Sequence, residues 1–150
     1  VALKGLNKII PKDLNPENKE RLTNNFDASI TYSRQIGNIY TGSLYLGLLS
    51  LLEQSQDLKA GDKIGFFSYG SGAVSEIFSG RLVEGYKDLL RSDRLDTFAK
   101  RQQLSVADYE KLFYEEAQLD DTGSTQFADY QTGAFRLAEI SEHQRIYKGH

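Results

Sequence analysis

The pattern of apolar and polar residues divides the chain into helices first and strands later. Leu3, Leu6 and Ile10 fall at helical spacing and predict a first helix that stops before Pro11. "DLNPENKERL" then supplies a start signal: Asn15 as N-cap, Pro16 at the first helical position and Glu17 in the first turn. This second helix is expected to run through Phe26 and Ile30 to about Ser33. The third starts near Thr41 and carries Leu44, Tyr45, Leu46, Leu48, Leu49, Leu51 and Leu52. With apolar groups around nearly its whole circumference, it reads as a central, buried helix. After the turn "KAGDK" the period shortens. "IGFFSYG" reads as a strand, and "AVSEIFSGRLV" as a second strand paired with it through the "GSG" turn. "GYKDLLRSD" and "SVADYEKLFYEEAQ" read as polar helices, the latter capped by Ser105 with Asp108 three residues on. "DDTGSTQFADYQTG" reads as loop, and "FRLAEI" as the last strand.

Composition narrows the class. At 150 residues the elements suit one domain. A net charge of −3 argues against the basic surface that nucleic acid requires. No apolar stretch reaches the ~18 residues of a membrane-spanning helix. There are no cysteines, so a disulfide, a zinc-thiolate site or a thiol nucleophile cannot come from these residues, and a cytoplasmic protein is expected. The first ten residues lack the apolar core and cleavage site of a secretion signal. They open inside an amphipathic helix without an initiator Met, which reads as a segment of something longer.

Two stretches carry candidate chemistry. In "YGSG" (Tyr69 to Gly72), glycines flank a serine at a strand end. Without a Cβ the backbone can approach a ligand closely, and two N–H groups and a hydroxyl could face one carbonyl oxygen. The same four residues also suit a plain β-turn needing positive φ at glycine. They do not suit a phosphate-binding loop, because no Gly-Lys-Ser/Thr follows. Asn38, just ahead of the third helix and between Gly37 and Gly42, can donate to a ligand carbonyl or serve as a turn or cap residue. His143 and His150 are the only histidines, neither in a setting for a metal or a catalytic triad. Glu115, Glu116, Asp120 and Asp121 match no calcium-loop spacing and read as a solvated face.

Taken together, "YSRQIGNIYTGSLYLGLLSLLE", "GDKIGFFSYGSGAVSEIFSGRLV" and the closing "LAEISEHQRIY" resemble the C-terminal part of hydroxymethylglutaryl-CoA synthase in its bacterial mevalonate-pathway form. The resemblance implies an α/β chain forming the C-terminal portion of a thiolase-like layered α-β-α-β-α fold, residues 1–150 being that portion and the N-terminal half absent. It implies condensation of acetyl-CoA with acetoacetyl-CoA in isoprenoid biosynthesis, with CoA thioesters as substrates and no cofactor. The catalytic Cys, Glu and His would lie upstream, so this chain alone is expected to be inactive. By position, Asn38 would hydrogen-bond the acetoacetyl group and Ser71 would stand near the thioester carbonyl. Tyr69 and Tyr40 would line the same pocket, and Gly70 and Gly72 would shape the backbone there. Lys4 and Lys8 would lie towards the CoA phosphates. The implied partners are the N-terminal half of the same enzyme and a second copy in a homodimer, without nucleic acid or membrane. Two other readings stand beside this one. One is a polyketide β-branching synthase of the same family acting on carrier-bound acyl chains; the other is a non-catalytic domain of this fold.

Overall fold

A computed structural model describes residues 2–72, 74–128 and 133–149. Ala73, His150 and residues 129–132 of the predicted loop lie outside the described residues. The chain divides into two compact units, residues 1–94 and 95–150.

In the first unit, α1 (Ala2–Ile9) is followed by α2 (Pro16–Ile36). Asn15 caps α2 as the sequence predicts, its side chain accepting from the Asn18 N–H. The helix runs three residues beyond Ser33 and ends at Gly37, whose φ of 87° with ψ of −160° is a backbone conformation that favours glycine. Next come α3 (Gly42–Gln54), β1 (Lys63–Gly70) and β2 (Val74–Arg81). The two strands form an antiparallel ribbon with an unbroken register from Lys63↔Arg81 to Gly70↔Val74, so the "GSG" turn joins them as expected. A 3-10 turn at Tyr86–Leu89 is all that forms from "GYKDLLRSD", and its Tyr86 hydroxyl reaches back to the Leu58 carbonyl.

The ribbon lies between helices. Leu51, Leu58 and Ile64 form the core cluster, with Leu48, Leu52 and Phe66 packed on it. Neighbouring side chains on a strand point to opposite faces. Phe66 therefore faces α3, while Phe67 lies against Gly5 of α1. Phe66 also stacks on its cross-strand partner Phe78, ring centroids 4.8 Å apart.

Burial departs from the sequence reading. Only Ser50 and Leu51 of α3 are buried, and Tyr45 is 61% exposed. Among the described residues α2 and β1 cover one side of α3 and residues 91–94 cover its C-terminal end, and the other side stays open. Every residue of β2 is exposed for the same reason.

The second unit contains α4 (Arg94–Ala99, beginning at the boundary), α5 (Val106–Tyr114), β3 (Thr125–Gln126), β4 (Phe135–Ser141) and β5 (Gln144–Gly149). Ser105 caps α5, but the helix stops at Tyr114 rather than extending through "EEAQ". The strands form an antiparallel sheet in the order β3-β4-β5. "FRLAEI" is thus the penultimate strand, not the last. Glu142 and His143, both at positive φ, make the tight turn that lets "QRIYKG" pair back as β5.

Candidate functional site

The connection from α2 to α3 is built around Asn38. The Asn38 Oδ1 accepts from the Tyr40 N–H at 2.9 Å and from the Ser43 hydroxyl at 3.1 Å, and that hydroxyl in turn accepts from the Ile39 N–H. A backbone N–H can only donate, so its bond fixes which end of the carboxamide faces inward. The Asn38 Nδ2, with two donor hydrogens, is left on the exposed side and has no partner among the described residues. Asn38 is therefore a turn residue and an oriented donor at once. Tyr40 is held at a φ of 54°, unusual for a bulky residue, with its ring 86% exposed. The first two turns of α3 carry no charge, and Thr41 makes no side-chain cap.

The other candidate residues stand at the far end of the ribbon. Tyr69 and Gly70 close β1, and Ser71 and Gly72 begin the turn. Ser71 is exposed and its hydroxyl makes no hydrogen bond among the described residues. Neither Gly70 nor Gly72 adopts a left-handed backbone, so the turn does not need glycine for its φ. A Cβ on Gly72 would meet nothing within 4 Å, and one on Gly70 would make only ordinary contact with the Val74 carbonyl at 3.7 Å. The pleat sets Tyr69 on the α1 face with Phe67. Ser68, half-buried, shares the α3 face with Ile64 and Phe66. Sequence reading passed over Ser68, although the alternation within "IGFFSY" already assigns it to that face. Asn38 and Tyr40 thus share one turn, and Tyr69 to Gly72 share another. No hydrogen bond joins the two groups among the described residues. Their link is the packing of α3 on β1.

A second feature escaped the sequence reading altogether. Glu53, its side chain 1% exposed at the end of α3, accepts from the Tyr32 hydroxyl at 2.5 Å, from the Arg94 guanidinium at 2.9 and 3.1 Å, and from the Arg91 N–H at 3.1 Å. Burial pushes this carboxyl up. The hydrogen bonds from Arg94, Tyr32 and the Arg91 backbone outweigh that and hold it below the usual glutamate value. Burial, then the bond to Glu53, raises the Tyr32 phenol. One turn earlier Ser50, fully buried, accepts from the Tyr32 N–H and donates to the Ala28 carbonyl, two groups that a regular helix pairs with each other.

Lys4 and Lys8 line an open groove of about 430 Å³ with Asn7, Ile10 and Lys12, and Lys12 and Lys19 share a smaller neighbour of about 290 Å³. Neither groove touches Asn38 or Ser71. Asp120 folds its loop, accepting from the Thr122 and Ser124 N–H groups and the Thr122 hydroxyl, which lower its carboxyl. The His143 ring lies over Gly123. Among the described residues no group of three or more His, Asp or Glu side chains is placed to hold a metal ion, and no helix is long and apolar enough to cross a membrane. What the two turns offer among the described residues is hydrogen-bond donors, the Asn38 Nδ2 and the Ser71 hydroxyl.

Comparison with known proteins gives this geometry a context. The family described as "Hydroxymethylglutaryl-coenzyme A synthase C terminal" matches residues 4–150. The hydroxymethylglutaryl-CoA synthase of Enterococcus faecalis is 52% identical over 103 residues, covering 68% of this chain and 27% of the relative. A crystal structure of an HMG-CoA synthase complexed with CoA superposes with a TM-score of 0.84 at 64% identity, covering 99% of this chain and 38% of that one. The HMG synthase of the curacin biosynthetic pathway, in complex with an apo donor acyl carrier protein, superposes at 0.67 with 28% identity, covering 92% and 37%. The chain therefore spans 27% to 38% of the length of these relatives. Its mixed helix and strand elements are the C-terminal portion of a thiolase-like fold.

Proposed function

The chain belongs to the hydroxymethylglutaryl-CoA synthase C-terminal family, and from that premise we propose that the protein carrying it condenses acetyl-CoA with acetoacetyl-CoA, giving hydroxymethylglutaryl-CoA and free CoA. The carrying observation is the contrast in likeness: the CoA-complexed synthase stands far nearer to this chain than the synthase complexed with a carrier protein. In this reading the chain positions the acetoacetyl substrate. The Asn38 Nδ2 donates to an acetoacetyl oxygen, its other end held by Tyr40 and Ser43. Ser71 stands at the thioester carbonyl, and Gly70 and Gly72 admit the substrate because no side chain intervenes. Tyr40 and Tyr69 border the pocket. The α3 N-terminus adds the positive end of its dipole. Each donor so placed contributes about 2 to 4 kcal/mol in the transition state, as for an oxyanion-hole donor.

The acetyl-bearing Cys comes from the rest of the protein, since this chain has no cysteine, and the general acid/base Glu and the substrate-positioning His are assigned there with it. The CoA thioesters are substrates, so no resident cofactor is called for. Lys4 and Lys8 are assigned to the CoA phosphates, because their groove gathers three of the chain's lysines. A homodimer, a cytoplasmic location and a role in the mevalonate pathway belong to the same proposal, and the family likeness is what supports them. The test is thiol release by the complete protein from acetyl-CoA and acetoacetyl-CoA without any carrier protein. Turnover supports the reading; turnover that requires a carrier-bound acyl chain would transfer the protein to the polyketide branch.

A further inference from the structure

We infer that Glu53, through Tyr32 and Arg94, is a positioning residue for the Asn38 turn at the opposite end of α3. The inference rests on the proposed role of Asn38 as a substrate donor. Three polar side chains are sealed from solvent along the seam between α2 and α3: Tyr32 at 1%, Ser50 at 0% and the Glu53 side chain at 1% exposure. Ser50 bonds to Tyr32 and Ala28 across that seam, and Glu53 bonds to Tyr32 across it and onward to Arg91 and Arg94. Apolar contact there is loose by comparison. Leu44, Leu46, Leu48 and Leu49 remain only partly buried, and Gly47 lets the helices approach until a Cβ would lie 3.5 Å from the Ser29 carbonyl.

Small residues and half-covered leucines do not define one register, because leucines slide over one another at little cost in energy. Directional bonds do. Ser50, inserted between Tyr32 and Ala28, fixes one height on α2, and Glu53, bonded to the Tyr32 hydroxyl, fixes the rotation of α3 about its axis. The Asn38 turn is continuous with the first turn of this helix, about 18 Å away at 1.5 Å per residue. The side-chain bonds of Asn38 and Ser43 stay within residues 38–43, so among the described residues the turn is held in place by the two helices it joins. How α3 sits on α2 therefore sets where Asn38 sits.

The test uses the complete protein and the acetoacetyl-CoA dependence of condensation. Glu53→Gln removes the charge at constant shape. Its expected effect is a loss of about tenfold in kcat/KM for acetoacetyl-CoA, in the range that coupled networks modulate. The loss should appear as a raised KM for acetoacetyl-CoA, with the KM for acetyl-CoA unchanged. A merely destabilised protein would instead show a smaller active fraction, lowering kcat and leaving both KM values in place. In an Asn38→Ala background the same substitution should cost less than about twofold. Tyr32→Phe, which deletes one bond and keeps the ion pair, should move the same parameters less, and it answers the question if Glu53→Gln does not fold. Equal losses in both backgrounds, or no change in the acetoacetyl-CoA KM, would overturn the inference alone. Wild-type kinetics for Asn38→Ala would overturn both it and the site it rests on.

Discussion

Asn38 and Ser71 open two turns that pack through the same cluster, yet the chain treats them differently. The carboxamide of Asn38 is oriented by two bonds to its oxygen, on a helix whose far end is locked by a buried carboxylate. The hydroxyl of Ser71 is free to rotate at the tip of a two-stranded ribbon whose second strand is wholly exposed. The same difference separates the two sides of α3. Apart from Leu51, what is sealed there is hydrogen-bonded, and the other leucines are left half open. A turn braced from within can hold a donor in place before substrate arrives. A bare ribbon tip acquires its geometry from whatever lies over it.

The sharpest way to break that comparison is to remove each donor in the complete protein. Asn38→Ala should cost about 10²- to 10³-fold in kcat/KM for acetoacetyl-CoA, the loss expected of an oriented donor. Ser71→Ala should cost less, at or below about 10²-fold, because a rotating hydroxyl is less preorganised. Thermal stability should scarcely move for Ser71→Ala and fall by about 1 kcal/mol for Asn38→Ala, which loses the two bonds that shape its turn; steady-state kinetics beside a melting curve reads both. Next in size is the brace. Glu53→Ala should lower stability by about 2 to 3 kcal/mol in denaturant titration. That is below the ~3 to 5 kcal/mol for breaking a fully buried pair, because Arg94 is 27% exposed and recovers water.

The brace also has a pH signature. The folded-state value of the Glu53 carboxyl is depressed, so its stabilisation is complete above the ordinary value of 4.5 and is lost as pH falls through the folded value. The wild-type protein should therefore lose stability on acidification below about pH 4.5 more steeply than Glu53→Gln, as followed by unfolding midpoints. The smallest effect belongs to the ribbon tip. Gly72→Ala should leave stability within about 0.5 kcal/mol, as surface substitutions do, because the new methyl meets nothing and φ is not left-handed. It should still lower turnover if substrate approaches there. A stability loss without a kinetic one would return the glycine to a purely structural role.

Local signals made much of this legible. Asn15 and Pro16 opened α2, Ser105 capped α5, and the alternation in "IGFFSYG" and "AVSEIFSGRLV" set the ribbon and its turn. Asn38 stood out because an amide between glycines ahead of an apolar helix is conspicuous. Ser71 stood out for the same reason. What failed were features decided by distant partners. The β5 segment "QRIYKG" pairs only because Glu142 and His143 accept left-handed backbones, which neither residue type announces. Glu53 ends an apolar run with nothing in its sequence neighbours to mark it, because the residues that bury it, Tyr32 and Arg94, lie 21 and 41 residues away. Leucines around the whole of α3 predicted burial that this chain alone does not supply.

The most direct measurement is a crystal structure of the complete protein with acetoacetyl-CoA bound. The expected result is the Asn38 Nδ2 within about 2.9 Å of an acetoacetyl oxygen, its Oδ1 still accepting from the Tyr40 N–H. A carboxamide turned away, or a substrate bound without contact to the Asn38 turn, would contradict it.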